Sequence, residues 1–114
     1  MRSLNEIKKI MDVFVTECKS LFGDKLSDVC LYGSFVKGEQ NEFSDIDVMV
    51  LLDVDDIEAR KSLESICEIA YEIDSGYNIV LTPIVRSKHD YDRLTKLPGF
   101  YSNVMREGVS LVAG

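Results

Sequence analysis

Two short apolar runs joined by a glycine-containing polar segment constrain this chain more than any other feature. The first run, Val29-Cys30-Leu31-Tyr32, is typical of a buried strand. Gly33 and Ser34 follow it with a flexible backbone and a small hydroxyl, which can expose amide N–H groups to an anion. The second run extends from Asp45 to Leu52. Because successive side chains of a strand point to opposite faces, Asp45 and Asp47 lie side by side on one face. We therefore predict two neighbouring strands, the second of which opens with paired carboxylates.

The paired carboxylates indicate a particular chemistry. Two carboxylates on one strand face repel each other, so they need a cation or plenty of water nearby. A turn that can hold phosphate, next to such a pair, predicts a site for a metal ion and a nucleoside triphosphate. The alternative is an ordinary turn followed by a strand that begins with two surface acids.

The same residues carry a resemblance to a known family. Gly33-Ser34, ten residues, and then Asp45-Ile46-Asp47 resemble the Gly-Ser-x10-Asp-x-Asp signature of the polymerase-β-like nucleotidyltransferases. Within that superfamily the chain is most similar to the minimal nucleotidyltransferases, small single-domain proteins often paired with a helical partner called the HEPN protein. The resemblance runs from the leading helix to Pro83–Ser87 and to Met105–Val109 near the end.

The fold class follows from the order of elements and from the resemblance. The sequence pattern predicts the order helix, strand, strand, helix, strand and then further helices. The two adjacent strands break the strand–helix alternation of a regular parallel fold. We predict an α/β (α+β) fold with a small mixed β-sheet and helices packed on one face, which is the nucleotidyltransferase fold. Residues 1–114 are predicted to form a single nucleotidyltransferase domain.

The resemblance also implies roles for individual residues. Asp45 and Asp47 would be the catalytic pair that binds Mg²⁺ or Mn²⁺, since Mg²⁺ prefers hard oxygen ligands. The nucleotide-binding residues would be Gly33, Ser34, Lys37 and Ser44.

The third carboxylate of the family pattern is the clearest departure. Active relatives commonly have this acid on the next strand, where it helps to deprotonate the acceptor. The predicted third strand, Asn78–Val85, contains no acid, and the resemblance places Asn78 at that position. Asp74 is the nearest acid, on the preceding helix or turn. Either another group substitutes, or the acceptor arrives reactive, or the chain binds nucleotide without efficient turnover.

The function implied is a Mg²⁺-dependent transfer of NMP, in the first place AMP, from an NTP such as ATP to a hydroxyl. By resemblance to the paired systems, the acceptor is a tyrosine of a HEPN-type toxin, which would make this chain an antitoxin. The alternative is a catalytically degenerate nucleotide-binding module that neutralises the partner protein by binding.

Composition restricts the partners and the cellular compartment that we expect for this chain. The formal net charge of −7 excludes a broad nucleic-acid surface, which needs a basic face. No apolar run reaches the length of a membrane span, so we expect no membrane partner. Cys18, Cys30 and Cys67 each lie in an apolar pattern, and we predict buried free thiols of a cytoplasmic protein. The oligomeric state is open, a homodimer included.

Helix and strand signals predict the remaining elements. Ser3 caps a first helix over Leu4–Phe22, and Ser87 caps a short helix over Tyr91–Lys96. The other predicted elements are a helix over Asp56–Asp74 stopped by Ser75-Gly76, the strand Asn78–Val85 with Pro83 at a sheet edge or bulge, a last helix from Pro98 to Gly108, and a short strand over Val109–Val112. Arg86 is expected to pair with a surface acid rather than a phosphate, and His89 to be exposed.

Overall fold

The computed structural model describes residues 3–38 and 45–112. Within these ranges the chain forms α1 (Leu4–Phe22), β1 (Leu26–Tyr32), α2 (Ser34–Lys37), β2 (Ile46–Leu52), α3 (Asp56–Lys61), α4 (Leu63–Tyr77), β3 (Leu81–Ser87), α5 (Lys88–Leu94), α6 (Phe100–Glu107) and β4 (Val109–Ser110). No helix in the described part is long and apolar enough to cross a membrane.

The described strands form one mixed sheet in the order β3-β2-β1-β4. β1 pairs antiparallel with β2 and with β4, whereas β2 and β3 run parallel. β3 is an edge strand, in agreement with the edge or bulge predicted from Pro83, because proline has no N–H to donate to a neighbouring strand. The mixed α/β fold predicted from the sequence is confirmed, but helices cover both faces of the sheet rather than the single face predicted, because α5 and α6 pack on the face opposite α1 and α4.

Burial follows the alternation of the strands. One face of the sheet, which includes Val48 and Val50, joins a large apolar core with α1 and α4, the two longest helices. The opposite face carries Met49 and Leu51 and has a smaller apolar cluster, which the short helices α5 and α6 cover. Asp45 and Asp47 belong to this second face, at the N-terminal end of β2.

The helix predicted over Asp56–Asp74 is interrupted in the structure. It divides at Ser62, whose hydroxyl donates to the Glu58 carbonyl at 2.9 Å, a local hydrogen bond that bends helices. The stop predicted at Ser75-Gly76 is wrong, since α4 continues to Tyr77. Asn78 ends the helix instead, with φ 55° and ψ 51°, a left-handed conformation that asparagine tolerates.

The third strand therefore begins later than predicted. It covers Leu81–Ser87 rather than Asn78–Val85, because Asn78 is used as a helix cap. Ser87 then caps α5 by accepting a hydrogen bond from the Asp90 N–H at 3.0 Å, which starts that helix at Lys88. The capping signal was correct, and the helix starts three residues earlier than Tyr91.

The cysteines agree only in part with the prediction. Cys18 and Cys30 are buried free thiols, and burial raises their pKa values to about 12 and about 11. Cys67 is exposed, which contradicts the prediction, because it lies on the outer face of α4.

Candidate active site

The open end of the β1–β2 pair brings the predicted carboxylates beside the glycine turn. Asp47 lies directly opposite Tyr32 in the antiparallel ladder, and Tyr32 is the last residue before Gly33. Asp47 is half-buried, whereas Asp45 is exposed at the start of β2. The period-2 pattern that predicted a shared strand face is thus borne out in the geometry.

Gly33 is shaped by its contact with Asp47. Its backbone has φ 83° and ψ −152°, a region that is nearly exclusive to glycine. A Cβ at this position would overlap the Asp47 carboxylate oxygen. The glycine is therefore required twice, by its torsion angles and by the carboxylate that packs against it.

The electrostatics of the pair match a site that accepts a cation. Burial, and secondarily the charge of Asp45, raise the pKa of Asp47 above its ordinary value. The pKa of Tyr32 is raised to about 12, first by burial and then by the charge of Asp47. The folded protein thus holds Asp47 where its negative charge is unfavourable without a positive partner.

The predicted phosphate-binding residues follow in the next turn. Ser34 is the first residue of the four-residue helix α2, and it is half-buried next to Gly33. Lys37 is the last residue of that helix, and its Nζ lies 3.5 Å from Glu107 Oε2 of α6. Ser44, the fourth predicted residue, lies outside the described residues.

Thr82, rather than Asn78, is the β3 residue that lies beside the carboxylates. The parallel register pairs Asp47 with Thr82, so the two side chains share the open face of the sheet. The Thr82 hydroxyl lies 3.4 Å from Asp45 Oδ2, a long and weak hydrogen bond. Asn78 is wrong as the third-carboxylate position, because it caps α4 and precedes β3 by three residues.

Asp74 approaches this site from the end of α4. Its Oδ1 accepts a hydrogen bond from the Leu81 N–H at 2.8 Å, which fixes the first residue of β3. Burial raises the pKa of Asp74 and the charge of Asp45 raises it further, against the lowering by the Leu81 hydrogen bond. Asp74 is therefore close enough to Asp45 to feel its charge, although one oxygen is already engaged.

Sequence reasoning missed the contribution of α6. A cavity of about 220 Å³ lies between this helix and the catalytic end of the sheet. Its lining residues are Tyr32, Gly33, Lys37, Asp47, Phe100, Asn103, Val104 and Glu107. Positions 100, 103, 104 and 107 lie on one face of a helix, which their spacing in the sequence predicts. The sequence does not predict which part of the protein that face contacts.

Arg86 and His89 lie away from the carboxylates. Arg86 Nε donates to the Tyr101 hydroxyl at 2.7 Å and Nη1 donates to the Val85 carbonyl at 2.8 Å. Within the described ranges Arg86 thus bonds a tyrosine hydroxyl and a backbone carbonyl rather than a surface acid, contrary to the prediction. His89 is exposed in the first turn of α5, as predicted.

The comparisons with known proteins give the class of this chain. The family model described as "Nucleotidyltransferase domain" matches residues 11–102, which is most of the sequence and includes the glycine turn and both aspartates. The chain belongs to the nucleotidyltransferase domain family. The resemblance recognised from Gly33-Ser34 and Asp45-Ile46-Asp47 is confirmed.

Two relatives from Methanocaldococcus jannaschii match over most of their length. "Putative protein adenylyltransferase MJ0141" is 34% identical over 83 residues, which cover 73% of this chain and 82% of the relative. "Putative protein adenylyltransferase MJ0604" is 29% identical over 105 residues, covering 92% of this chain and 96% of the relative.

Two solved structures share the fold. A crystal structure of a toxin–antitoxin with AMP-PNP matches with a TM-score of 0.52 at 20% identity, over 89% of this chain and 72% of that chain. A mutant of the toxin–antitoxin MntA–HpeT matches with a TM-score of 0.53 at 20% identity, over 99% of this chain and 75% of that chain. At this identity the two structures support the fold.

The residues present suit a divalent cation with oxygen ligands. Asp45 and Asp47 supply two neighbouring carboxylates, and a cation beside them would offset the burial and the like charge that raise the pKa of Asp47. The described residues contain no cluster of three or more His, Cys, Asp or Glu side chains arranged to hold a metal. Mg²⁺ usually keeps several waters and binds substrate phosphates beside one or two carboxylates, so a pair of carboxylates is a sufficient protein contribution to such a site.

Proposed function

We propose that this chain transfers AMP from ATP to a hydroxyl of a partner protein, with Mg²⁺ or Mn²⁺ held by Asp45 and Asp47. The single observation that carries the proposal is the carboxylate pair of β2 packed beside the Gly33-Ser34 turn. When bound, the metal would neutralise charge on the phosphates in the transition state.

The residues of the glycine turn and of α2 would bind and position the triphosphate. Gly33 lets the backbone approach the triphosphate closely, Ser34 presents a hydroxyl to a phosphate oxygen, and Lys37 supplies a positive charge. The acceptor oxygen would form a bond to the α-phosphorus while the bond to the β-phosphate oxygen breaks and pyrophosphate leaves. The proton of the acceptor hydroxyl passes to a base.

The substrate classes come from the comparisons. Relatives named as protein adenylyltransferases favour AMP as the transferred group and a protein as the acceptor. A structural neighbour is a toxin–antitoxin crystallised with AMP-PNP, which favours ATP and a partner protein. By the family resemblance we propose a tyrosine of a HEPN-type helical toxin as the acceptor, and the cytoplasm as the compartment, where ATP is abundant.

A second candidate function rests on Thr82. The strand beside Asp47 carries the hydroxyl of Thr82 at the paired position, and β3, Leu81–Ser87, contains no acid. A hydroxyl cannot act as a base near neutral pH. This observation favours a module that binds nucleotide and neutralises its partner by contact without turnover.

Transfer of labelled AMP from ATP to a co-expressed helical partner separates the two functions. We expect wild type to label the partner in the presence of Mg²⁺, and Asp45→Asn/Asp47→Asn to lose the labelling, because the double variant removes both carboxylate charges. Wild type that labels no acceptor but still protects cells from the partner would establish the binding module and refute the enzyme.

Metal dependence of nucleotide binding is the matching test of the site. By calorimetry, ATP should bind wild type more tightly with Mg²⁺ than without it, and the difference should vanish in the double variant. Equal affinities with and without metal in both proteins would contradict the assignment of Asp45 and Asp47.

A further inference from the structure

We propose that Arg106 of α6 is a second phosphate-binding residue, which acts with Lys37 on the β- and γ-phosphates of the nucleotide. The inference rests on the proposed function, since it concerns the triphosphate at the same site. It starts from a connected row of four side chains, Lys37, Glu107, Arg106 and Asn103, of which all but Arg106 line the cavity beneath α6.

The row is held together by Glu107. Its Oε2 lies 3.5 Å from Lys37 Nζ, and its Oε1 lies 3.6 Å from Arg106 Nη2. The same Arg106 Nη2 donates to Asn103 Oδ1 at 2.7 Å. One carboxylate therefore gathers a lysine from α2 and an arginine from α6, and its neighbour in the row, Asn103, lines the cavity.

The negative charge of the site would favour cationic side chains beside a bound triphosphate. The chain has a formal net charge of −7, and the cavity wall carries the carboxylates of Asp47 and Glu107. A nucleoside triphosphate adds several negative charges, of which one divalent ion neutralises only part. Among the described residues that line the cavity Lys37 is the basic one, and Arg106 lies next to it through Glu107.

The two cations are able to turn towards an anion. The side chain of Arg106 is 65% exposed and that of Lys37 is 47% exposed, so neither is packed into the core. Their ion pairs with Glu107 are solvent-exposed, and such pairs contribute little to stability. A guanidinium presents parallel N–H donors that match phosphate oxygens, which the lysine does not. Arg106 would thus add directional hydrogen bonds to the point charge of Lys37.

Calorimetry in Mg²⁺ with ATP, inorganic tripolyphosphate and AMP tests the inference. We expect Arg106→Ala to weaken the binding of ATP and of tripolyphosphate by about tenfold, the lower end for a hydrogen bond to a charged group, because the site is exposed. AMP lacks the β- and γ-phosphates, so its affinity should stay within about twofold. Arg106→Lys should recover part of the ATP affinity, since it restores the charge without the planar donor pair.

Arg93→Ala is the matched control. Arg93 lies on α5, is 61% exposed and pairs with Asp90, so it resembles Arg106 in exposure and in having an acidic partner. This variant should bind all three ligands as wild type does. Thermal unfolding of each variant in the absence of ligand should give the wild-type midpoint.

The outcomes separate the inference from the proposed function. If wild type binds ATP with Mg²⁺ and Arg106→Ala binds it equally well, the inference is overturned and the proposed function stands. Equal losses for ATP and AMP, or a lowered unfolding midpoint in Arg106→Ala, would also overturn it by showing a structural role. A wild-type chain that binds none of the three ligands overturns the proposed function, and the inference with it.

Discussion

A carboxylate introduced at Thr82 should strengthen both metal binding and transfer. Thr82 lies opposite Asp47 in the parallel ladder, and its hydroxyl is 3.4 Å from Asp45 Oδ2. In Thr82→Asp, a third carboxylate would therefore stand on the same face as the existing pair. It would provide an additional metal ligand and a base for the acceptor hydroxyl.

The expected sizes of the rate increase and of the charge repulsion can be estimated. A positioned general base contributes typically about 10²- to 10⁴-fold in rate, so a weak wild-type transfer should rise visibly. Without metal, the new charge repels Asp45 and Asp47. At roughly 4–5 Å this repulsion costs about 1 kcal/mol in a water-like environment, and Thr82 is exposed. Thr82→Asp should therefore unfold more easily in chelator and recover its stability when Mg²⁺ is added.

The assay compares transfer of labelled AMP to the helical partner for wild type, Thr82→Asp and Thr82→Asn, with Mg²⁺ affinity measured in parallel. Thr82→Asn has nearly the same shape as the aspartate variant but no charge or basic group. Asn78→Asp is the positional control, since Asn78 caps α4 and should leave the rate unchanged. Equal rates and equal metal affinities for Thr82→Asp and Thr82→Asn, or a rate increase in Asn78→Asp, would refute the reasoning.

Three further predictions concern the glycine turn, the carboxylate pair and the cysteines. Gly33→Ala should lower the free energy of unfolding by about 1–3 kcal/mol in urea titrations and impair Mg²⁺-dependent ATP binding, because its torsion angles are strained for alanine and its Cβ would overlap Asp47. Asp47→Asn should raise the urea midpoint at neutral pH without metal. Burial and Asp45 raise the folded-state pKa of Asp47 above 3.8, so the stability of wild type falls as the pH rises through the interval between the two values. An aromatic disulfide reagent at mildly alkaline pH should label Cys67 alone in the native protein, because Cys67 is exposed.

Each of these predictions has an internal control. Gly38→Ala also places alanine at positive φ, 75°, but nothing lies within 4 Å of its Cβ, so it should destabilise less and leave ATP binding intact. The stabilisation by Asp47→Asn should shrink below about pH 4, and a constant difference at all pH values would contradict the linkage argument. Rapid native labelling of Cys18 or Cys30 would contradict their burial.

The sequence alone determined some of the local elements and the class of the protein. The alternation from Asp45 to Leu52 specifies one strand face for both aspartates, because the side-chain period of a strand is two whatever the strand pairs with. The Ser3 and Ser87 caps depend on contacts within three residues, so their helices could be predicted from the chain itself. The Gly-Ser and Asp-x-Asp spacing likewise lies within one short segment. The family match confirmed the class of protein that this spacing predicted.

Contacts between distant segments required the tertiary structure. Thr82 faces Asp47 only through the register of two parallel strands that are separated by α3 and α4, and no local pattern encodes that register. Asn78 was misplaced because an asparagine before an apolar run fits a strand start and a left-handed helix cap equally well until the length of α4 is known. The position of α6, which brings Glu107 to Lys37 across 70 residues of chain, results from packing against the second face of the sheet. A chain's own periodicity tells which residues share a face, whereas only packing tells which faces meet.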